Sequence, residues 1–92
     1  MMSERYKSAF DAISDTPEEA LNLKIRADLM TRIDAMIAER GWSQKEAAKQ
    51  LKVTQPRIPD LLRGHVSKFS IDMLVNMLAS IGGRVELKGI AA

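Results

Sequence analysis

The chain has no cysteine in its 92 residues. That excludes a disulfide framework, a thiol nucleophile and a cysteine-based zinc site. It has one histidine, His65, with neither a catalytic triad nor an H-x-x-x-H metal pair around it in sequence. No glycine-rich phosphate loop occurs. No apolar run approaches the ~20 residues that a membrane helix needs. The first ten residues, MMSERYKSAF, carry charge with no apolar run behind them, unlike a secretory signal. These absences point away from an enzyme, a cofactor or a metal site, and away from the membrane. They suit a protein of the reducing cytoplasm.

What is present fits one domain, with a modest core at a size where oligomerisation often helps stability. The net charge of +2 is too small to imply a nucleic-acid partner by itself. Its distribution says more. Residues 1–23 hold Arg5 and Lys7 against Glu4, Asp11, Asp15, Glu18 and Glu19. The remaining residues carry a basic excess. An acidic arm on a basic body suits DNA binding by the body and another contact by the arm; a chance imbalance of solvated charge would look the same.

Helix signals punctuate most of the chain. Tyr6, Phe10 and Ile13 are spaced for one helical face, but no cap supports a helix there. Thr16-Pro17-Glu18-Glu19 is a strong start: a capping threonine, proline at the first position and a glutamate closing a capping box. Leu21, Ile25, Leu29, Ile33 and Ile37 then recur every four residues, with Met30 and Met36 widening the stripe. This predicts a long amphipathic helix ending at Gly41. Further on, Ser70 caps a final helix, Phe69 can staple onto Leu74, and Ile71, Leu74, Val75, Leu78 and Ile81 supply its buried face. Gly82-Gly83 stops it. The methionines fall mostly on these apolar stripes, where core packing explains them.

Between these helices lies SQKEAAKQLKVTQPRIPDLLR, Ser43 to Arg63. Ser43 and Glu46 form a capping box, Trp42 can staple onto Ala47, and Ala47, Ala48 and Leu51 give a short helix one apolar face. Lys52 and Val53 form a break. Thr54 is the next expected N-cap, with Val53 stapling onto Ile58. Ile58, Leu61 and Leu62 make an inward stripe, leaving Gln55, Pro56, Arg57, Asp60 and Arg63 outside. Helix, tight turn and second helix with a polar outer face make a helix-turn-helix, which places its second helix in the DNA major groove.

The segment resembles the Xre family of lambda-repressor and Cro-like proteins. The matching residues are Gln44, Ala48, Val53, Ile58 and the LLRG of Leu61 to Gly64. From about Thr16 to Leu87 the chain is similar to small single-domain Xre proteins, many of them HigA-like antitoxins of type II toxin-antitoxin pairs. The resemblance implies a lambda-repressor-like domain that binds a near-palindromic operator as a homodimer, represses transcription and autoregulates its operon. It also implies a RelE-superfamily toxin as partner, with the acidic arm as the toxin-facing segment. The competing expectation is a protein-interaction module on the same scaffold, with DNA binding weakened or lost.

Given this fold, the expected DNA-binding residues are Gln44, Thr54, Gln55, Pro56, Arg57, Asp60, Arg63, His65 and Lys68. In the Xre pattern the glutamine at position 44 bonds a phosphate. Gln55 suits a bidentate contact to adenine, and Arg57 suits one to guanine or a grip on phosphate. Asp60 can accept from cytosine, or orient Arg57 or Arg63 one turn away. His65 and Lys68 lie in the loop where relatives commonly meet phosphates, with Ser67 and Ser70 beside them. Pro59 is the oddity. If Thr54 caps the helix, Pro59 is its fifth residue and denies the Gln55 carbonyl a donor, so the helix start should be bent, tightened or late.

After the glycines, Arg84-Val85-Glu86-Leu87-Lys88 alternates charged and apolar residues, the period of a strand. The chain offers no partner strand, so Val85 and Leu87 are expected to mediate dimerisation with a second copy. The expected architecture is all-α: five helices of a lambda-repressor-like domain plus a short C-terminal β-strand. It divides into an acidic arm (1–15), a DNA-binding domain (16–83) and a dimerisation strand (84–92).

Overall fold

The computed structural model describes residues 16–86. Four α-helices follow in order: α1 Pro17–Arg40, α2 Gln44–Leu51, α3 Arg57–Leu62 and α4 Ile71–Ser80, with a 3-10 turn at Val66–Lys68 before α4. The long α1 packs chiefly on α4, and α2 and α3 close the core between them.

This corrects the expected five helices and terminal strand. Among the described residues there are four helices and no strand. The helix suggested within residues 1–15 lies outside them, as does Leu87. Gly83 to Glu86 form no ladder, and Val85 is 42 % exposed. Alternating side chains give a segment two faces. They do not supply the neighbouring edge that a strand's N–H and C=O groups require, and nothing among the described residues provides one.

The helix starts follow their capping chemistry. Thr16 Oγ1 accepts from the Glu19 N–H, Ser43 Oγ from Glu46 and Ser70 Oγ from Met73, each at 3.1 Å. All four helices end in the same pair of reverse bonds. Trp42 N–H reaches the Ile37 carbonyl, Val53 that of Ala48, His65 that of Asp60 and Gly83 that of Leu78. The residue that turns each end is left-handed: Gly41, Lys52, Gly64 and Gly82. Lys52 has a positive φ of 60° that a side chain adopts at a cost of about 1–2 kcal/mol. It makes the turn between α2 and α3.

The buried row of α1 is Leu23, Ala27, Met30, Ile33 and Ile37, with Leu29 beside it. The expected four-residue row fails at its beginning, where Leu21 is 59 % exposed and Ile25 is also outside. A helix turns every 3.6 residues, so a strict step of four winds off the core face over several turns. On α4, Leu74 and Leu78 are buried as expected, Ile71 and Val75 only partly, and Met77 is a core residue that the pattern missed.

The recognition segment departs most from expectation. Thr54 does not cap α3. The helix begins at Arg57, with Pro56 in front of it and no side-chain cap. Arg57 N–H bonds the Thr54 carbonyl and Ile58 N–H that of Gln55, both at 3.0 Å. The Gln55 carbonyl thus has a donor three residues on, in place of the one that Pro59 lacks. Pro59 becomes the third helical residue, in the first turn, where N–H groups have no intrahelical partner anyway. Pro59→Ser should therefore change stability by less than about 1 kcal/mol, well short of the ~3 kcal/mol of an interior proline. A thermal melt checks this; a rise of more than about 8 °C would mean that the ring still strains the helix.

Candidate nucleic-acid interface

Ile58 and Leu61 are buried and hold α3 against the core. Leu62, expected inward with them, is 38 % exposed. A six-residue helix has room for one buried row, and Leu62 falls at its edge. The other side of the segment is polar. Thr54, Gln55, Pro56 and Arg63 stand exposed, as does Gln44 at the start of α2.

The remaining expected contacts are engaged within the chain. Arg57 is half-buried. Its Nη1 donates to the Lys68 carbonyl at 2.9 Å, and its guanidinium lies 5.7 Å from the centre of the Phe69 ring. That distance suits a cation–π contact. Arg57 thus ties α3 to the loop after it. Asp60 braces as well, but not an arginine. Its Oδ1 meets His65 Nδ1 at 3.2 Å and Lys68 Nζ at 3.4 Å. The helix and the loop His65–Lys68 form one unit, fastened by an arginine at the backbone and a carboxylate at the side chains.

Partial desolvation raises the Asp60 pKa, but the His65 hydrogen bond, the Lys68 charge and bond, and the His65 charge together outweigh it. The net effect holds the carboxyl below its ordinary 3.8. A depressed folded-state value stabilises the fold above the unfolded pKa, and this is lost as pH falls through the folded one. Wild type should thus be more stable than Asp60→Asn near neutrality, with the gap closing as pH drops below 3.8. Melts of the two proteins across the acid range check this. A gap that persists at pH 2 would mean that the carboxylate charge is not its source.

Arg26 was missed by sequence reasoning. It rises from α1 and donates through Nη1 to the carbonyls of Val66 at 3.0 Å and Phe69 at 3.2 Å. A signal existed: Arg26 sits three residues after Leu23 and four before Met30, a charged residue on the inward row. Among the described residues no three His, Cys, Asp or Glu side chains converge as metal ligands would.

Residues 9–89 match the family model of a helix-turn-helix domain. The chain belongs to this family. It is a helix-turn-helix domain, with α2 and α3 as the two helices of the motif. No curated protein matches the sequence. Among the described residues, no helix of the domain is long and apolar enough to cross a membrane.

Proposed function

We propose that this helix-turn-helix domain is a sequence-specific transcriptional repressor of the Xre type, acting in the cytoplasm as a homodimer on a near-palindromic operator. One observation carries the reading. Ile58 and Leu61 of α3 face the core, while Gln55, Arg63 and the turn before the helix are presented to solvent. A second helix anchored in this way can lie in a major groove with its leading residues on base edges. Gln44 and Lys68 would set register on phosphates, and Gln55 would read a base. In a dimer two such helices would occupy grooves about one helical turn apart. Exposed Val85, with Leu87, would lie at or near the contact between copies. Occlusion of the promoter follows from that footprint. The likeness to HigA-like antitoxins and the acidic arm support pairing with a basic RelE-superfamily toxin.

A second reading has its own support. Arg57, His65 and Lys68 are engaged with internal partners, as in a scaffold that neutralises a toxin without gripping DNA. Anisotropy titrations with a duplex from upstream of the chain's own gene, at several salt concentrations, separate the two. Repression predicts operator binding at least ~10³-fold tighter than binding to a scrambled duplex, falling linearly with salt on logarithmic axes. Equal affinity for both duplexes, or none, would favour the interaction module.

A further inference from the structure

Arg26 lies outside the two motif helices, yet it reaches the loop that follows α3. Its Nη1 holds two carbonyls of that loop, Val66 and Phe69. Its Nε is buried without a hydrogen-bond partner, and among the described residues no carboxylate pairs with it. A guanidinium so placed gives up hydration for carbonyl dipoles alone, a poor source of net stability. What its bonds do fix is direction. They turn the Val66 and Phe69 carbonyls toward α1, while Arg57 takes the Lys68 carbonyl from α3. Two arginines from two helices thus hold three carbonyls of one short loop. Otherwise the backbone of the 3-10 turn has only local bonds among the described residues, Val66 N–H to Gly64 at 2.8 Å, Lys68 N–H to His65 at 3.0 Å and Phe69 N–H to Val66 at 3.3 Å, while the Lys68 side chain reaches Asp60 at 3.4 Å. Ser67 and Lys68 stand exposed between the tethered carbonyls.

We propose that Arg26 is a positioning residue for the DNA backbone contact: it touches no DNA, but fixes the loop that presents Ser67 and Lys68 to phosphate. The physical reason is tolerance. A polar contact survives only a fraction of an ångström of misplacement, so the supporting residue determines whether it forms. The inference rests on the DNA-binding reading above, and its test is arranged so that the two can fail separately.

The variants are Arg26→Met, which keeps an apolar stem and removes the donors, Arg26→Lys, Lys68→Ala and the double variant Arg26→Met/Lys68→Ala. Each is titrated against the operator and a scrambled duplex over a range of salt. Arg26→Met should lose about tenfold in affinity for both duplexes alike. Its salt slope should shrink by about 0.9, one phosphate contact. The double variant should lose little beyond either single one, because both remove the same contact. Wild-type affinity in Arg26→Met, or fully additive losses, would overturn the proposal. If Arg26→Met does not fold, Arg26→Lys decides, with an affinity loss common to both duplexes supporting the proposal and wild-type affinity overturning it. If wild type itself binds neither duplex, the DNA reading fails first. Amide exchange at Ser67 and Lys68 then judges the loop: faster exchange in Arg26→Lys supports positioning, and unchanged exchange overturns it.

Discussion

Phe69→Ala should lower the melting temperature by roughly 12–40 °C, the largest stability loss expected from a single substitution near the interface. Phe69 is 1 % exposed and among the largest fully buried side chains. Truncating a buried phenylalanine costs about 3–5 kcal/mol, part lost transfer energy and part cavity. In a domain of this size each kcal/mol moves the midpoint by about 4–8 °C. Phe69 also has local duties that alanine cannot meet. Its ring lies under the Arg57 guanidinium, and its backbone sits where the Arg26-tethered loop enters α4. Circular dichroism melts of Phe69→Ala and Phe69→Leu give the comparison. Leucine should recover much of the loss by filling volume, though not the ring contact. A Phe69→Ala midpoint within a few degrees of wild type would mean that the surrounding core closes over the cavity.

Gln55→Ala and Arg57→Ala should fail in different ways. Sequence reasoning treats both as base readers, but the fold separates them. Gln55 is exposed ahead of α3, so its loss should cost about 1–3 kcal/mol on the operator and relax preference at one base pair. Arg57 is half-buried and bonded to the Lys68 carbonyl. Its loss should weaken operator and scrambled duplexes by similar factors. It should also lower stability by about 1–2 kcal/mol, the low end for a charge-assisted bond, since the group is only partly shielded. Binding to a pool with each operator base pair randomised, alongside melts, distinguishes the outcomes. If Arg57→Ala changes preference at one base pair and leaves the melt unchanged, Arg57 exchanges its carbonyl for a base when DNA arrives.

The fold was most legible where chemistry is local. Thr16, Ser43 and Ser70 each accept the expected N–H bond, because a capping side chain and its donor lie three residues apart. Gly41, Gly64 and Gly82 turn left-handed at helix ends, because glycine takes that conformation without a side-chain penalty. Legibility declined with distance along the chain. The four-residue row on α1 was the wrong row at its start, since apolar residues occupy two faces there and only tertiary packing selects one. Thr54 carried a capping signal, but Pro56 and Pro59 moved the helix start past it.

The sequence by itself determined the order of the four described helices and the motif, because capping and helical periodicity depend on contacts within a few residues. It also made Gln55 and Arg63 polar neighbours of an apolar row, the pattern by which the motif was read. Only the tertiary structure decided what the charged side chains of that motif do. Arg57, Asp60, His65 and Lys68 meet one another, and Arg26 arrives from α1, 40 residues away from Val66 in the chain. Spacing within a helix cannot report such a meeting, since it arises where α1 crosses the loop after α3. The terminal strand marks the same boundary from the other side. Alternation at Arg84 to Lys88 was visible, but a strand is made by its neighbour, and nothing among the described residues provides one.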